Sequence, residues 1–443
     1  MLRRFLYIVA CALALYACKA DRISDDPSMQ LTFQQDTVRF DTVFTGFGSA
    51  TQVMKIYNHN DYGIRISSVR LTSGKYFHIN LDGEPQPAYM SGIEVRGGDS
   101  LYLFITVEID PSAEDMPVLV EDAVEFDYNS RRQSLVLEAI GQNVHLVQSP
   151  HRRTNCYRAV EFDNDRPYLI YDSLFVYGNV TIKPGARLYF HQGASLWCYG
   201  NVTAEGNESQ PISLLGDRLD RVFEHVPYSV TSGQWGGWCI LDTMGGNHTY
   251  ELKHVHISGA NWGLVVENGS TLTLDHCKIH NHLRYGLAIE NVDSKVTNTE
   301  ISNVARNCVY LAGGEHTWNY TTVANYFYNT SINIHHISAD SVVQWRYSMP
   351  VVYVDEAASK GLKINNSIVT GLNKKIIGCE IDSLAPDSFP GSWVHKDTAH
   401  VFRNVYYEYG VYTYYDFRLD SLSPARGIAK DSTDAGCYPY TPY

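Results

Sequence analysis

The stretch from Val255 to Leu311 carries the pattern that decides the fold of this chain. One series of short segments recurs in it every 22 residues: Val255-His256-Ile257, Cys277-Lys278-Ile279 and Thr299-Glu300-Ile301. A second series follows each of these: Gly263-Leu264-Val265-Val266, Gly286-Leu287-Ala288-Ile289 and Cys308-Val309-Tyr310-Leu311. A repeat of this length with several short strands is typical of one coil of a solenoid, whose coils must stack because a single coil cannot bury its inward side chains alone.

Stacking of parallel coils determines which side chains meet. Equivalent residues of neighbouring coils lie about 4.8 Å apart, so we expect the three isoleucines of the first series to form one inward ladder. Lys278 is then expected on the outward face, between His256 and Glu300. A leucine-rich repeat has a similar period, but its Asn-x-Leu consensus is absent from these repeats. The pattern therefore predicts a parallel β-helix over residues 160–440.

Several segments outside this stretch resemble bacterial right-handed parallel β-helix proteins of the pectate-lyase-like kind. These segments are Asn179-Val180-Thr181-Ile182-Lys183-Pro184-Gly185-Ala186, Trp235-Gly236-Gly237-Trp238, Ser423-Pro424-Ala425-Arg426-Gly427 and Asp434-Ala435-Gly436. The resemblance covers residues 172–440 and implies a right-handed parallel β-helix. It implies no single activity, because this fold carries lyases, hydrolases, epimerases and non-enzymatic surface proteins.

Residues 31–147 have a different pattern, in which apolar and polar residues alternate and polar turns separate the short runs. About seven strands at this spacing predict a β-sandwich. Ile56-Tyr57-Asn58, Gly98-Asp99-Ser100 and Asp110-Pro111 resemble motifs of immunoglobulin-like modules on bacterial surface proteins, which act as spacers or adaptors. The predicted fold class is therefore all-β, with an N-terminal immunoglobulin-like β-sandwich followed by the right-handed parallel β-helix.

Residues 1–17 have the pattern of an export signal. A short positive region precedes the apolar run Phe5–Leu15, which is too short to span a bilayer. Leu15-Tyr16-Ala17-Cys18 resembles the lipobox of bacterial lipoproteins, although its second residue is bulkier than that family prefers. The resemblance implies an acylated Cys18, a tether over residues 18–30, and anchoring to the outer membrane at the cell surface or on the periplasmic side. An ordinary cleaved secretory signal is the alternative.

Composition excludes some partners and sites. The net charge of −13 argues against nucleic acid, because phosphate binding requires clustered Lys and Arg. No Cys-x-x-Cys pair occurs, so neither a zinc site nor a disulfide framework is indicated. His280 and His282 have the spacing of a metal pair, but the sequence identifies no third ligand, so we predict no metal site from the residues themselves.

The candidate catalytic residues lie around residues 267–290. Lys278, His280 and Arg284 are polar residues of one coil. Lyases of the resembled fold use a Lys or Arg base, often with Ca²⁺ held by acidic residues, and its glycosidases use paired carboxylates. Glu267 and Glu290 lie 23 residues apart at the same strand end, so we expect neighbouring coils to place them close together. Such a pair repels unless it is protonated or bridged by a cation, for which Ca²⁺ is the candidate.

Aromatic residues indicate a binding surface that takes a polysaccharide, because exposed rings stack on sugar faces. Residues 313–328 are predicted to be an insertion, and insertions project from a solenoid and often bind ligands. The predicted ligand-binding residues are Trp262, Trp318, Tyr320 and Tyr326. Three functions remain open at this point: a glycan-associated surface lipoprotein, a polysaccharide lyase or glycosidase, and a structural or adhesive surface protein.

Overall fold

The computed structural model is nearly all-β. It describes residues 22–442 with gaps at 86–89, 112–116, 149–154, 224–225, 244, 246, 328–348, 360, 374, 380–388, 398–399 and 406–414. The chain divides after Asn143 into two compact units. Cys18 lies outside the described residues. Among the residues that are described, no helix is both long enough and apolar enough to cross a membrane.

The first unit is built from two five-stranded sheets that share one hydrophobic core. One sheet has the order Thr32–Phe33, Gln52–Tyr57, Ser100–Val107, Phe77–Leu81 and Glu84–Pro85. The other has the order Thr37–Phe44, Arg131–Gln142, Val118–Tyr128, Ile64–Leu71 and Ile93–Val95. The described pairs are antiparallel, except that Thr37–Phe44 runs parallel to Arg131–Gln142. Alternate residues of each strand enter the core, as Leu101, Leu103 and Ile105 do.

The second unit consists of stacked coils, each of which contributes one strand to each of three parallel sheets. The first parallel sheet contains His145–Val147, Tyr168–Ile170, Arg187–Phe190, Ile212–Gly216, Val255–Ser258, Lys278–His282, Glu300–Val304, Thr322–Asn325, Ile368–Gly371 and Trp393–Val394. The second contains Asn155–Tyr157, Leu174–Val176, Ser195–Cys198, Trp235–Leu241, Ala260–Glu267, Leu287–Glu290, Val309–Ala312, Val352–Val354 and Ile377–Cys379. The third contains Val160–Phe162, Val180–Ile182, Val202–Glu205, Thr249–Lys253, Thr271–Asp275, Asp293–Thr297, His316–Asn319 and Leu362–Asn365. Long parallel sheets with this strand order are those of a parallel β-helix.

Short elements interrupt or follow the coils. Two antiparallel pairs occur, Arg221–Phe223 with Val226–Pro227 and Phe402–Asn404 with Asp416–Leu419. A 3₁₀ turn spans Tyr228–Val230, and a single α-helical turn spans Glu356–Ser359.

The register confirms the predicted ladder. Ile257, Ile279 and Ile301 are directly paired on neighbouring strands of the first parallel sheet, and all three are fully buried. Lys278 pairs with His256 on one side and Glu300 on the other, as expected. The inward residues of all three sheets form one continuous core.

The corner from the third to the first sheet turns at one residue per coil. The corner residue has a positive φ between 47° and 51° in four of these coils, at His254, His276, Asn298, Tyr320 and Asn366 when the last coil is counted within the same range. Asn and His tolerate this left-handed conformation better than most residues other than glycine. The spacing of these corners therefore maintains the 22-residue period.

A C-terminal segment, residues 415–440, packs on the outward face of the first parallel sheet, together with Val401–Val405. Phe402, Phe417 and Ala435 belong to one apolar cluster with Ala324 and Ile368 of the sheet. A Cβ at Gly436 would lie 2.7 Å from both Ile368 and Thr322, so only glycine permits this close approach. The backbone N–H of Gly436 donates to the carbonyl of Asn366 at 2.8 Å.

Candidate functional site

The outward face of the second parallel sheet carries a column of aromatic and small residues, which we call the aromatic face. In order along the coils its members are Phe175, Trp197, Cys239, Val265, Ala288, Tyr310 and Tyr353. They alternate with buried residues such as Leu196 and Leu311, which face the core. The strand pleat therefore presents all seven side chains on one surface.

Two ring stacks stand at the ends of this column. Phe175 and Trp197 stack with centroids 5.9 Å apart and planes 5° apart, and Tyr310 and Tyr353 stack at 5.2 Å and 7°. Between the stacks lie only Cys239, Val265 and Ala288, which have short side chains. Four steps of about 4.8 Å separate the strands of Trp197 and Tyr310, so the gap spans roughly 19 Å between their backbones.

One side of the gap is lined by further rings at the start of the strands. Tyr285 lies 5.4 Å from Tyr310 and 5.7 Å from Trp262, with its ring tilted to both. The guanidinium carbon of Arg284 lies 4.7 Å from the centroid of the Trp262 ring, in a cation–π contact. This exposed cation is thus held against an aromatic face.

The other side of the gap is lined by carboxylates. Glu267 and Glu290 are directly paired two residues beyond Val265 and Ala288, as the sequence predicted, and both are half-buried. Burial, and then the charge of Glu290, raise the pKa of Glu267. Among the residues that the structure describes, neither carboxylate forms an ion pair. The gap therefore has an uncompensated acidic side.

A second polar cluster lies on the first parallel sheet, where the C-terminal segment covers it. The side chain of Glu300 is only 2% exposed, and its Oε2 lies 3.6 Å from the Nζ of Lys278. Ser302 donates a hydroxyl hydrogen bond to Oε1 at 2.6 Å, and Tyr438 donates one to Oε2 at 2.8 Å. The expectation that Lys278 and Glu300 form an ordinary solvated pair is wrong, because Tyr438 and its segment exclude water from Glu300.

The histidines of this region are neutral groups. Burial, and then the charge of Lys278, lower the pKa values of His256 and His280. His282 is fully buried, and its Nδ1 accepts a hydrogen bond from the backbone N–H of Ala260 at 3.2 Å. Burial lowers the pKa of His282 to about 3.

The described residues include no group of three or more His, Cys, Asp or Glu side chains that could hold a metal ion. His280 lies among the outward residues of its strand, whereas His282 enters the interior. The two imidazoles therefore do not form a chelating pair. No described side chain beyond Glu267 and Glu290 is placed to complete a Ca²⁺ site there.

The five predicted catalytic residues are not brought together. Lys278 and His280 lie on the outward side of the first sheet, Arg284 lies at the corner, and Glu267 and Glu290 lie at the far ends of second-sheet strands. Arg284 and Glu290 are six residues apart along an extended path, which corresponds to roughly 20 Å. The prediction that they form one catalytic coil is wrong, because successive strands of a coil face different directions.

The prediction of an aromatic insertion is also wrong for the described part of residues 313–328. Strands His316–Asn319 and Thr322–Asn325 continue the third and first sheets without interruption. Trp318 is fully buried between Val296 and Ile364, so it cannot contact a ligand.

The two tyrosines of that region have structural contacts. Tyr326 is buried in the apolar cluster under the C-terminal segment, and its hydroxyl donates to Asp397. The hydroxyl of the half-buried Tyr320 donates to Asp431 at 2.6 Å. Only Trp262 of the four predicted ligand-binding residues lies beside the gap.

Sequence reasoning missed most rings of the aromatic face. Trp197, Tyr310 and Tyr353 each lie one residue from an inward leucine or valine, and Tyr310 stood within the second repeat series. The alternation within that series was the available signal. Tyr438 gave no such signal, because its partner Glu300 is 138 residues distant in sequence.

Comparisons with known proteins add no family. No family model matches the chain, and no curated protein matches it. Among solved structures, a family 123 glycoside hydrolase from Clostridium perfringens aligns over 28% of this chain and 26% of its own, with 11% identity and a TM-score of 0.19.

Two further solved structures align as weakly. The VesB protease of Vibrio cholerae aligns over 26% of this chain and 32% of its own, with 11% identity and a TM-score of 0.18. The E. coli chaperone DraB aligns over 28% and 56%, with 15% identity and a TM-score of 0.18. Scores this low carry no argument about fold or function. The class defined by the coordinates is a nearly all-β protein with long parallel sheets.

The buried neutral His282 predicts a pH dependence of stability. The folded state keeps His282 unprotonated down to a pKa of about 3, whereas the unfolded chain protonates it below about 6.5. The stabilisation is therefore complete above about pH 6.5, and declines below it by up to about 1.4 kcal/mol per pH unit. We expect His282→Gln to reduce the slope of unfolding free energy against pH.

Urea unfolding followed by tryptophan fluorescence measures this slope. All seven tryptophans lie at residue 197 or beyond, so the signal reports the second unit alone. Equal slopes for the natural protein and the variant would contradict the assignment.

The contact between Tyr438 and Glu300 predicts a stability effect with a matched control. Tyr438→Phe removes one donor from a buried carboxylate, which should lower the free energy of unfolding by about 1–3 kcal/mol. Tyr320→Phe removes a similar hydroxyl from the exposed Asp431, where water replaces it, so a smaller loss is expected. If urea unfolding gives equal losses for both variants, the burial of Glu300 does not have the role assigned to it.

Proposed function

We propose that this chain is a glycan-binding protein of the bacterial cell envelope, and that the aromatic face of the second parallel sheet is its binding surface. The observation that carries the proposal is the gap between the two ring stacks. It combines ring faces, a floor of short side chains and polar groups on both sides. Carbohydrate sites combine these features, because sugars have apolar faces and polar hydroxyl edges.

The ring geometry supports a ligand in the gap. Each ring in a parallel stack uses one face for its partner, so the second faces of Trp197 and Tyr310 are directed along the coils toward Cys239 and Ala288. Short residues at these positions leave the rings higher than the floor. A continuous aromatic ladder would serve stability alone, whereas this ladder is interrupted for three coils.

The remaining parts of the proposal come from the sequence. The lipobox-like segment supports acylation of Cys18 and attachment to the outer membrane, at the cell surface or on the periplasmic side. The motifs at Asn58 and Asp99 support an immunoglobulin-like spacer for the first unit, and the coil motifs support a right-handed β-helix for the second. In this proposal the spacer separates the glycan-binding coils from the lipid anchor.

The test is binding of the full chain to an oligosaccharide array, followed by titration calorimetry with the best ligand. We expect Trp197→Ala and Tyr310→Ala each to weaken binding about tenfold, since ring contacts of this kind contribute on the order of 1 kcal/mol. Tyr102→Ala is the control, because Tyr102 is an exposed ring of the first unit that also contacts a cation, Lys55. Unchanged affinity in both gap variants, or no binding to any oligosaccharide, would overturn the proposal.

Glycoside hydrolysis is the second candidate, and the paired carboxylates favour it. Adjacent strands place Glu267 and Glu290 near the spacing of about 5 Å that retaining glycosidases use. The raised pKa of Glu267 suits a general acid, which leaves Glu290 as the nucleophile.

Release of new reducing ends from the bound oligosaccharide tests this second candidate. We expect release with retained anomeric configuration, and its loss in Glu290→Gln while binding persists. Glu251→Gln is the control, because Glu251 is exposed on the third parallel sheet. Absence of any released reducing ends from a ligand that binds would exclude hydrolysis of that ligand and leave the binding proposal standing.

A further inference from the structure

The charges around the gap differ in sign from those that an acidic polysaccharide requires. Glu267 and Glu290 line one side of the gap, and neither has an ion-pair partner among the described residues. Arg284, on the opposite side, is held on the face of Trp262. The floor residues Cys239, Val265 and Ala288 carry no charge at neutral pH, since burial raises the pKa of the Cys239 thiol to about 12.

We propose that the gap selects glycans that carry positively charged amino groups, such as chains containing unacetylated amino sugars. This inference rests on the proposed function and names the class of ligand for the same site. The two carboxylates lie two residues from the floor along their strands, which places them about 7 Å from it. A sugar bounded by the rings of Trp197 and Tyr310 therefore has its substituents within reach of both carboxylates.

The cost of the unpaired carboxylates indicates why a cation fits. Two carboxylates on adjacent strands repel each other, and partial burial strengthens the repulsion by excluding water. A protonated amine between them relieves this repulsion and forms charge-assisted hydrogen bonds. A carboxylated or sulfated sugar adds a third negative charge to the same side, so the site discriminates against it.

The experiment compares hexasaccharides that differ in charge. The probes are a glucosamine hexamer, an N-acetylglucosamine hexamer, cellohexaose and hexagalacturonate, each titrated into the full chain in mildly acidic buffer at low and high salt. We expect the glucosamine hexamer to bind about tenfold more tightly than the two neutral hexamers at low salt, with a smaller difference at high salt. Hexagalacturonate is expected to bind least.

Variants locate this preference. Glu267→Gln/Glu290→Gln should remove the preference for the glucosamine hexamer while neutral hexamers still bind, and Glu251→Gln should keep it. Tryptophan fluorescence of unfolding confirms that each variant is folded. Retention of the preference in the folded double variant would overturn the inference, as would equal or tighter binding of hexagalacturonate by the natural protein.

The outcomes separate this inference from the proposed function. If neutral and cationic hexamers bind equally, and Trp197→Ala weakens both, the inference fails and the glycan-binding proposal stands. If none of the four hexamers nor any array glycan binds, the proposed function itself fails.

Discussion

Parallel register is the constraint on which the second unit depends. Each coil contributes one short strand to each sheet, so its inward residues are buried only if they stack on the same positions of the coils beside it. A shift of one residue would exchange inward and outward side chains along the whole strand. The buried ladder through Ile279 therefore determines the outward neighbours of Lys278, and the ladder through Leu287 determines those of Ala288 and Glu290.

This constraint explains how a surface can be assembled from residues that are far apart in sequence. Trp197 and Tyr310 are separated by more than one hundred residues, yet they belong to one outward column. Chemistry in such a fold is therefore built across coils, along a column. Residues within one coil point in different directions, which is why Lys278, Arg284 and Glu290 lie on different faces although only twelve residues separate the first from the last.

The period, the inward ladder and the pairing of Glu267 with Glu290 could be predicted from the sequence, because each depends only on local alternation and a fixed repeat. The burial of Trp318 and Tyr326 could not be predicted in the same way. Trp318 lies at an inward position of the third sheet, 22 residues after Val296, but its coil was interpreted as an insertion because of its glycines and aromatic residues. Tyr326 is buried by Phe402 and Phe417, which follow it by more than seventy residues.

The burial of Glu300 shows the same limit in energetic terms. An isolated carboxylate is costly to remove from water, and here Ser302, Tyr438 and Lys278 supply the compensating contacts. Only Tyr438 comes from outside the coils, and Gly436 allows its segment to approach the sheet closely enough for that contact. Glu300 and Glu267 thus occupy outward positions of neighbouring sheets with opposite consequences. The first is satisfied by the protein and supports the docking of the C-terminal segment, whereas the second is left to face the gap, where only a ligand or a proton can compensate its charge.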